Sequence, residues 1–103
     1  MKLFHVTVVG GEAEREEFRF LLERELNAQG VAFTDDPNKA DGTIRGTIRV
    51  TSALPMWAFA TATVRGKDGK VLWRDYFKSN QLEGVAEQAA KAIFGQCQKG
   101  WPQ

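Results

Sequence analysis

The side chains best equipped for covalent chemistry are one histidine, His5, and one cysteine, Cys97. Nucleophilic catalysis needs a nucleophile within hydrogen-bond reach of a base. His5 falls in a strand-like run at the start and Cys97 in a helical run near the end, on predicted opposite sides of a sheet. They make no catalytic pair, and no catalytic residue is expected; Cys97 continues an apolar stripe and reads as a small buried residue. Zinc and iron sites take several Cys, His or carboxylate ligands at short spacing, which this chain does not supply. Asp35, Asp36 and Asp41 could together hold a weak calcium ion, but with Pro37 and Asn38 between them they read as a solvated turn. Val9-Gly10-Gly11 precedes a helical run, where free backbone amides attract anions. Glu12, Glu14, Glu16 and Glu17 follow at once and would repel a phosphate. The glycines therefore read as a tight turn, the dinucleotide fingerprint is absent, and no metal or cofactor is expected.

What remains is a surface. From Asp41 to Phe77 the sequence alternates at period two, so one face of each strand is buried and the other is not. Ile44, Gly46, Ile48, Val50, Met56, Ala58, Ala60, Ala62 and Val64 form a floor for helices. The opposite face carries Thr43, Arg45, Thr47, Arg49, Trp57, Phe59, Thr61, Thr63 and Arg65, with Arg74 and Tyr76 beside them and His5 joining from the first strand. Arg45, Arg49, Trp57, Phe59, Arg74 and Tyr76 are the candidate partner-binding residues. Arginine and aromatic residues are enriched in protein interfaces, and on an exposed sheet they also stack with single-stranded nucleic acid. A third reading is a merely solvated sheet, since threonine and arginine suit exposed strand positions.

The elements that position this face follow from the same patterns. Residues 3–9 alternate as a first strand. Phe18, Leu21, Leu22 and Leu26 recur at helical spacing between Glu12 and Gln29, with Gly30 as the left-handed stop and Val31 closing back on Leu26. Residues 31–34 read as a short strand and 35–41 as a loop. Residues 43–50, 56–65 and 70–77 read as three antiparallel strands, joined at 51–55 and at the Asp68-Gly69 turn. Parity sets Val71, Trp73 and Phe77 on the helix-covered face. Ser79 or Asn80 opens a last helix, with Asn80 and Glu83 spaced as a capping box and Leu82, Val85, Ala86, Ala89, Ala90, Ile93 and Cys97 inward. Trp101 is expected to dock on the core or on a partner. The predicted order β-α-β-β-β-β-α is a two-layer α+β sandwich, two helices on one face of a mixed, mostly antiparallel sheet.

With 103 residues the chain has room for one domain. Its 43% hydrophobic and 26% charged composition is that of a globular protein, and a net charge of +1 gives no global attraction to nucleic acid or anionic membrane. No apolar run reaches the ~20 residues that a spanning helix needs. The start, one Lys and then LFHVTVV, lacks the pattern of a signal peptide. The expected compartment is cytoplasmic as written, or periplasmic if a leader was removed.

The helix with LLERELNAQGV, the segment KADGTIRGTIRV and the turn DGKVLWR before a last helix together resemble a recurring bacterial envelope domain. Such domains occur in the amino-terminal module of TolB, in curli-secretion and penicillin-binding-protein-activator lipoproteins, and in the lipopolysaccharide-assembly lipoprotein LptE. Ala40-Asp41 before the long strand and Gly69 to Trp73 at a strand start carry the likeness. The resemblance implies a non-enzymatic binding or assembly role at the cell envelope, with a protein partner or self-association. The chain carries no lipobox cysteine, and Cys97 sits at the wrong end for a lipid anchor.

Overall fold

The computed structural model describes the backbone of residues 3–99 and the side chains of residues 3–96. Alternation makes β1 (Leu3–Val9), whose Phe4 and Val6 are buried. A chain reversal at Gly10-Gly11 leads into α1 (Glu12–Ala28), which turns Phe18, Leu21, Leu22 and Leu26 inward. The helix ends as its sequence predicts. Gly30 adopts φ 90°, its amide donates to the Asn27 carbonyl, and the Val31 amide donates to the Leu26 carbonyl, both at 3.0 Å. This is a Schellman closure, and Val31 and Leu26 are both buried.

The expected strand at 31–34 shortens to β2 (Ala32–Phe33). The Val31 amide is spent on the helix cap, and the Thr34 hydroxyl accepts from the Asp36 amide to start a turn. A 3-10 turn, Pro37–Lys39, leads to β3 (Gly42–Val50). β4 (Ala58–Gly66) begins two residues later than the alternation suggests. Trp57 is held instead in the loop closure: the Thr51 amide donates to the Trp57 carbonyl, and the Trp57 amide donates to the Thr51 hydroxyl, both at 2.9 Å. β5 (Val71–Ser79) runs two residues past its expected end, and α2 (Leu82–Lys99) follows. The Ser79 hydroxyl accepts from the Gln81 amide ahead of this helix, while Glu83 pairs with Arg24 at 3.3 Å rather than closing a box on Asn80.

The strands lie in the order β2-β1-β3-β4-β5. β1 is parallel to both β2 and β3, and β3-β4-β5 is an antiparallel meander. The fold is the expected α+β sandwich. α1 packs on β1 and β3, α2 packs on β4 and β5, and the two helices pack on each other. Small residues permit that close approach: Ala58, Ala60 and Ala62 of β4 and Ala86, Ala89 and Ala90 of α2 are all essentially inaccessible. Gly46 leaves room for the buried Phe18, for a Cβ there would stand 3.1 Å from the Phe18 ring.

One parity expectation fails. A β-bulge between Val64 and Arg65 pairs Val64 with Trp73 but Arg65 with Val71. Leu72 is the extra residue and packs against the core, whereas Val71 turns to the uncovered face and is 48% exposed. Trp73 and Phe77 stay on the helix side as expected, half-buried with ring centroids 6.4 Å apart. The expectations for the Cys97 side chain and for Trp101 lie outside the described residues.

Candidate functional site

Strand register assembles the uncovered face in rows. Arg45 pairs with Thr63, and Thr63 with Arg74; Thr47 pairs with Thr61, and Thr61 with Tyr76; Arg49 pairs with Phe59, and Phe59 with Lys78. Thr43, Arg65 and Val71 make a fourth row. β1 extends three of these, setting His5 beside Thr43, Thr7 beside Arg45 and Val9 beside Thr47. Each row crosses the sheet, so residues far apart in sequence become neighbours because their strands pair.

The candidate residues divide into two groups. Arg45 and Arg74 join Arg65 around a groove of about 310 Å³ floored by Thr47, Thr61 and Thr63. The Arg74 Nε donates to the Thr63 hydroxyl at 3.2 Å, which ties the side chain to the neighbouring strand. Thr47 and Thr61 join their hydroxyls across the centre. The second group lies toward the 51–57 loop. Arg49 stacks on the Phe59 ring, its guanidinium carbon 5.2 Å from the centroid. The Lys78 ammonium sits 4.5 Å from the Trp57 centroid and 5.7 Å from that of Phe59. A groove of about 500 Å³, mostly apolar in lining, runs past Arg49, Phe59, Thr61, Tyr76 and Lys78 and shares Thr47 and Thr61 with the first. Tyr76 is 79% exposed between the two.

The face is unbalanced in charge. Arg45, Arg49, Arg65, Arg74 and Lys78 occupy it, and no acidic residue shares these rows. Asp75, between Arg74 and Tyr76, pairs with Ala62 on the other side. The arginines of α1 behave differently, since Arg15, Arg19 and Arg24 pair with Glu16, Glu23 and Glu25. Among the described residues no ion pair reaches the five cations of the sheet.

His5 shares a row with Thr43, but its Nδ1 lies 3.1 Å from the Thr34 carbonyl oxygen, and it lines a slot at the β1 edge instead of the arginine groove. The Asp35, Asp36 and Asp41 carboxylates are engaged locally: with Arg19 at 3.8 Å, with the Asn38 amide and with the Leu3 amide. Lys78 was legible only to a reading that carries β5 past Phe77; the alternation of Arg74, Tyr76 and Lys78 was the available signal.

No family model matches the sequence, and no curated protein matches it. Similar solved structures share the fold at low identity. A PelC dodecamer from Paraburkholderia phytofirmans superposes with a TM-score of 0.66 and 17% identity, over 89% of this chain and 82% of that one. A minor lipoprotein from Acinetobacter baumannii gives 0.63 and 14%, over 99% and 96%. A ribosomal subunit interface protein from Coxiella burnetii gives 0.58 and 14%, over 94% of each chain. The fold is therefore shared with solved structures that include a lipoprotein and a ribosomal subunit interface protein.

Proposed function

We propose that this chain is a non-enzymatic binding or assembly module of a bacterial cell-envelope protein, and that its uncovered sheet face engages a protein partner. The observation that carries this reading is the concentration of five cations, none ion-paired among the described residues, and of Trp57, Phe59 and Tyr76, on the sheet face opposite the two helices. Uncompensated charge around a partly apolar groove is the arrangement by which an interface selects a complementary partner. The lipoprotein and the PelC dodecamer among similar structures support an envelope setting and assembly. A periplasmic location accompanies this proposal where a leader is removed. The non-enzymatic part rests on chemistry: His5 is directed to a backbone carbonyl, and among the described residues no hydroxyl or thiol is hydrogen-bonded to it.

Single-stranded nucleic acid is the alternative ligand. Nucleobases stack on free ring faces, and here Arg49 and Lys78 of the same chain already lie over Phe59 and Trp57. That occupancy favours the protein reading. The test combines titration with a labelled oligothymidine at low and high salt with cross-linking capture of partners, using wild type and the Arg45→Ala, Arg49→Ala, Trp57→Ala triple variant. A protein captured by wild type and lost by the folded variant supports the proposal. Steeply salt-dependent oligonucleotide binding that the variant loses would replace it with the alternative.

A further inference from the structure

We propose that the partner presents an extended acidic segment that adds as a strand along the free edge of β5, with its acidic side chains opposite Arg74 and Lys78 and an apolar one opposite Tyr76. This rests on the reading of the uncovered face as a protein interface and gives that partner a chemistry. β5 is the outermost strand, paired with β4 on one side only. Its other edge pairs with no strand along Val71–Ser79, and an added strand would take over the Tyr76 amide, which donates to the Asp75 carboxylate at 2.8 Å, and the Lys78 carbonyl, which accepts from the Gln88 side-chain amide at 3.3 Å. Alternate residues of an added strand fall about 7 Å apart on one face, so three of them stand beside Arg74, Tyr76 and Lys78 in turn.

The neighbouring rows say what each position accepts. On the inner side of Arg74 lies the groove that Arg45 and Arg65 also line, so a carboxylate opposite Arg74 stands at the rim of a positively charged surface. Beside Tyr76 runs the largely apolar groove past Phe59, which accepts an aliphatic or aromatic side chain. Beside Lys78 the ammonium has two ring faces but no carboxylate. Positions that alternate with these face the helix layer next to Trp73, Asp75 and Phe77, where Asp75 rejects an acid and the half-buried rings favour apolar residues. The segment thus reads acid, neutral or basic, apolar, apolar, acid from Arg74 to Lys78.

Two competing occupants fit less well. A second copy pairing β5 antiparallel on β5, with helices on the same side, sets Arg74 on Arg74, Asp75 on Asp75, or Arg74 on Lys78 when centred on Arg74, Asp75 or Tyr76. All three oppose like charges. The β1 edge is already shortened by β2, and the slot beside it mixes Glu16 with Arg15 and Arg19, so it has no preference for acid. Arg74 and Lys78 also deter indiscriminate pairing at β5; the same charges make the edge selective.

The experiment titrates the full chain, followed by fluorescence anisotropy, with labelled peptides carrying Glu-Gln-Leu-Leu-Glu or its reverse, so that Glu, Leu and Glu share one face. Its controls are the same peptides with alternate backbone amides methylated and an oligothymidine of equal charge. The expected result is binding of an unmethylated peptide, with affinity falling about tenfold or more on amide methylation and on Arg74→Glu or Lys78→Glu. Both substitutions are at exposed positions, and thermal melting verifies that the variants fold. Binding indifferent to methylation, binding indifferent to both charge reversals, preference for the oligothymidine, or no peptide binding each overturns the proposal. If it fails while the Arg45, Arg49 and Trp57 variant still loses a captured protein, the face remains an interface and only the strand-addition chemistry falls.

Discussion

At the residue scale, the account rests on a few positions where one side chain decides what its neighbours can do. Gly46 is one of them, since Phe18 is fully buried directly above it and cannot withdraw into solvent. Gly46→Val is expected to lower stability by about 1 to 3 kcal/mol through overpacking. Adding Phe18→Leu should recover part of that loss, because the ring edge is what the new methyl groups meet; strictly additive effects in denaturant melts would show that the two do not touch. On the other face Trp57 is 37% exposed and lies outside β4. Its nature and side of the sheet were legible from alternation, but its partner was not. Lys78 comes over the ring only because β5 continues to Ser79 and register sets Lys78 opposite Phe59. Single-sequence alternation ranks residues by face and carries no information about which cation from another strand stacks on which ring.

At the element scale, most of the architecture was written in period and punctuation. The stop of α1 at Gly30 and the faces of β3 and β4 needed no tertiary information, because a Schellman closure and an unbroken antiparallel ladder are both local regularities. β5 shows where such reasoning ends. One bulge shifts parity by a residue, sending Val71 to the uncovered face and Leu72 to the core. Leu72→Ala should therefore cost about 2 kcal/mol, while Val71→Ala should stay within about 0.5 kcal/mol of wild type. The reverse order in chemical denaturation would restore simple alternation. Trp73→Ala should cost about 3 kcal/mol, at the low end for a large aromatic because β5 is an edge strand and the ring is half-buried. An unchanged thermal midpoint would show that α2 does not rest on this ring.

At the scale of the whole molecule, a net charge of +1 conceals a separation. The sheet face holds five cations with no ion-pair partner among the described residues, while α1 on the opposite layer carries Glu12, Glu14, Glu16, Glu17, Glu23 and Glu25 against three arginines. The sum hid what the fold revealed, since strand pairing gathers on one surface charges that the sequence spreads over 34 positions from Arg45 to Lys78. The competing occupant of that face is α1 of a second molecule, in head-to-tail association. Light scattering should then give a higher mass at low salt than at high salt, and Arg45→Ala with Arg49→Ala should remove the difference. A mass independent of salt leaves the sheet for a different partner. The α+β architecture was legible because helices, turns and strands follow local rules, whereas the partner is not encoded in any one stretch. Protein engagement by this face is measured most directly by site-specific photo-cross-linking with benzoylphenylalanine in place of Tyr76, at the β5 edge of the uncovered face, or of Phe20, 64% exposed on α1. The account predicts protein adducts at position 76 and none above background at position 20; adducts at position 20 alone would contradict it.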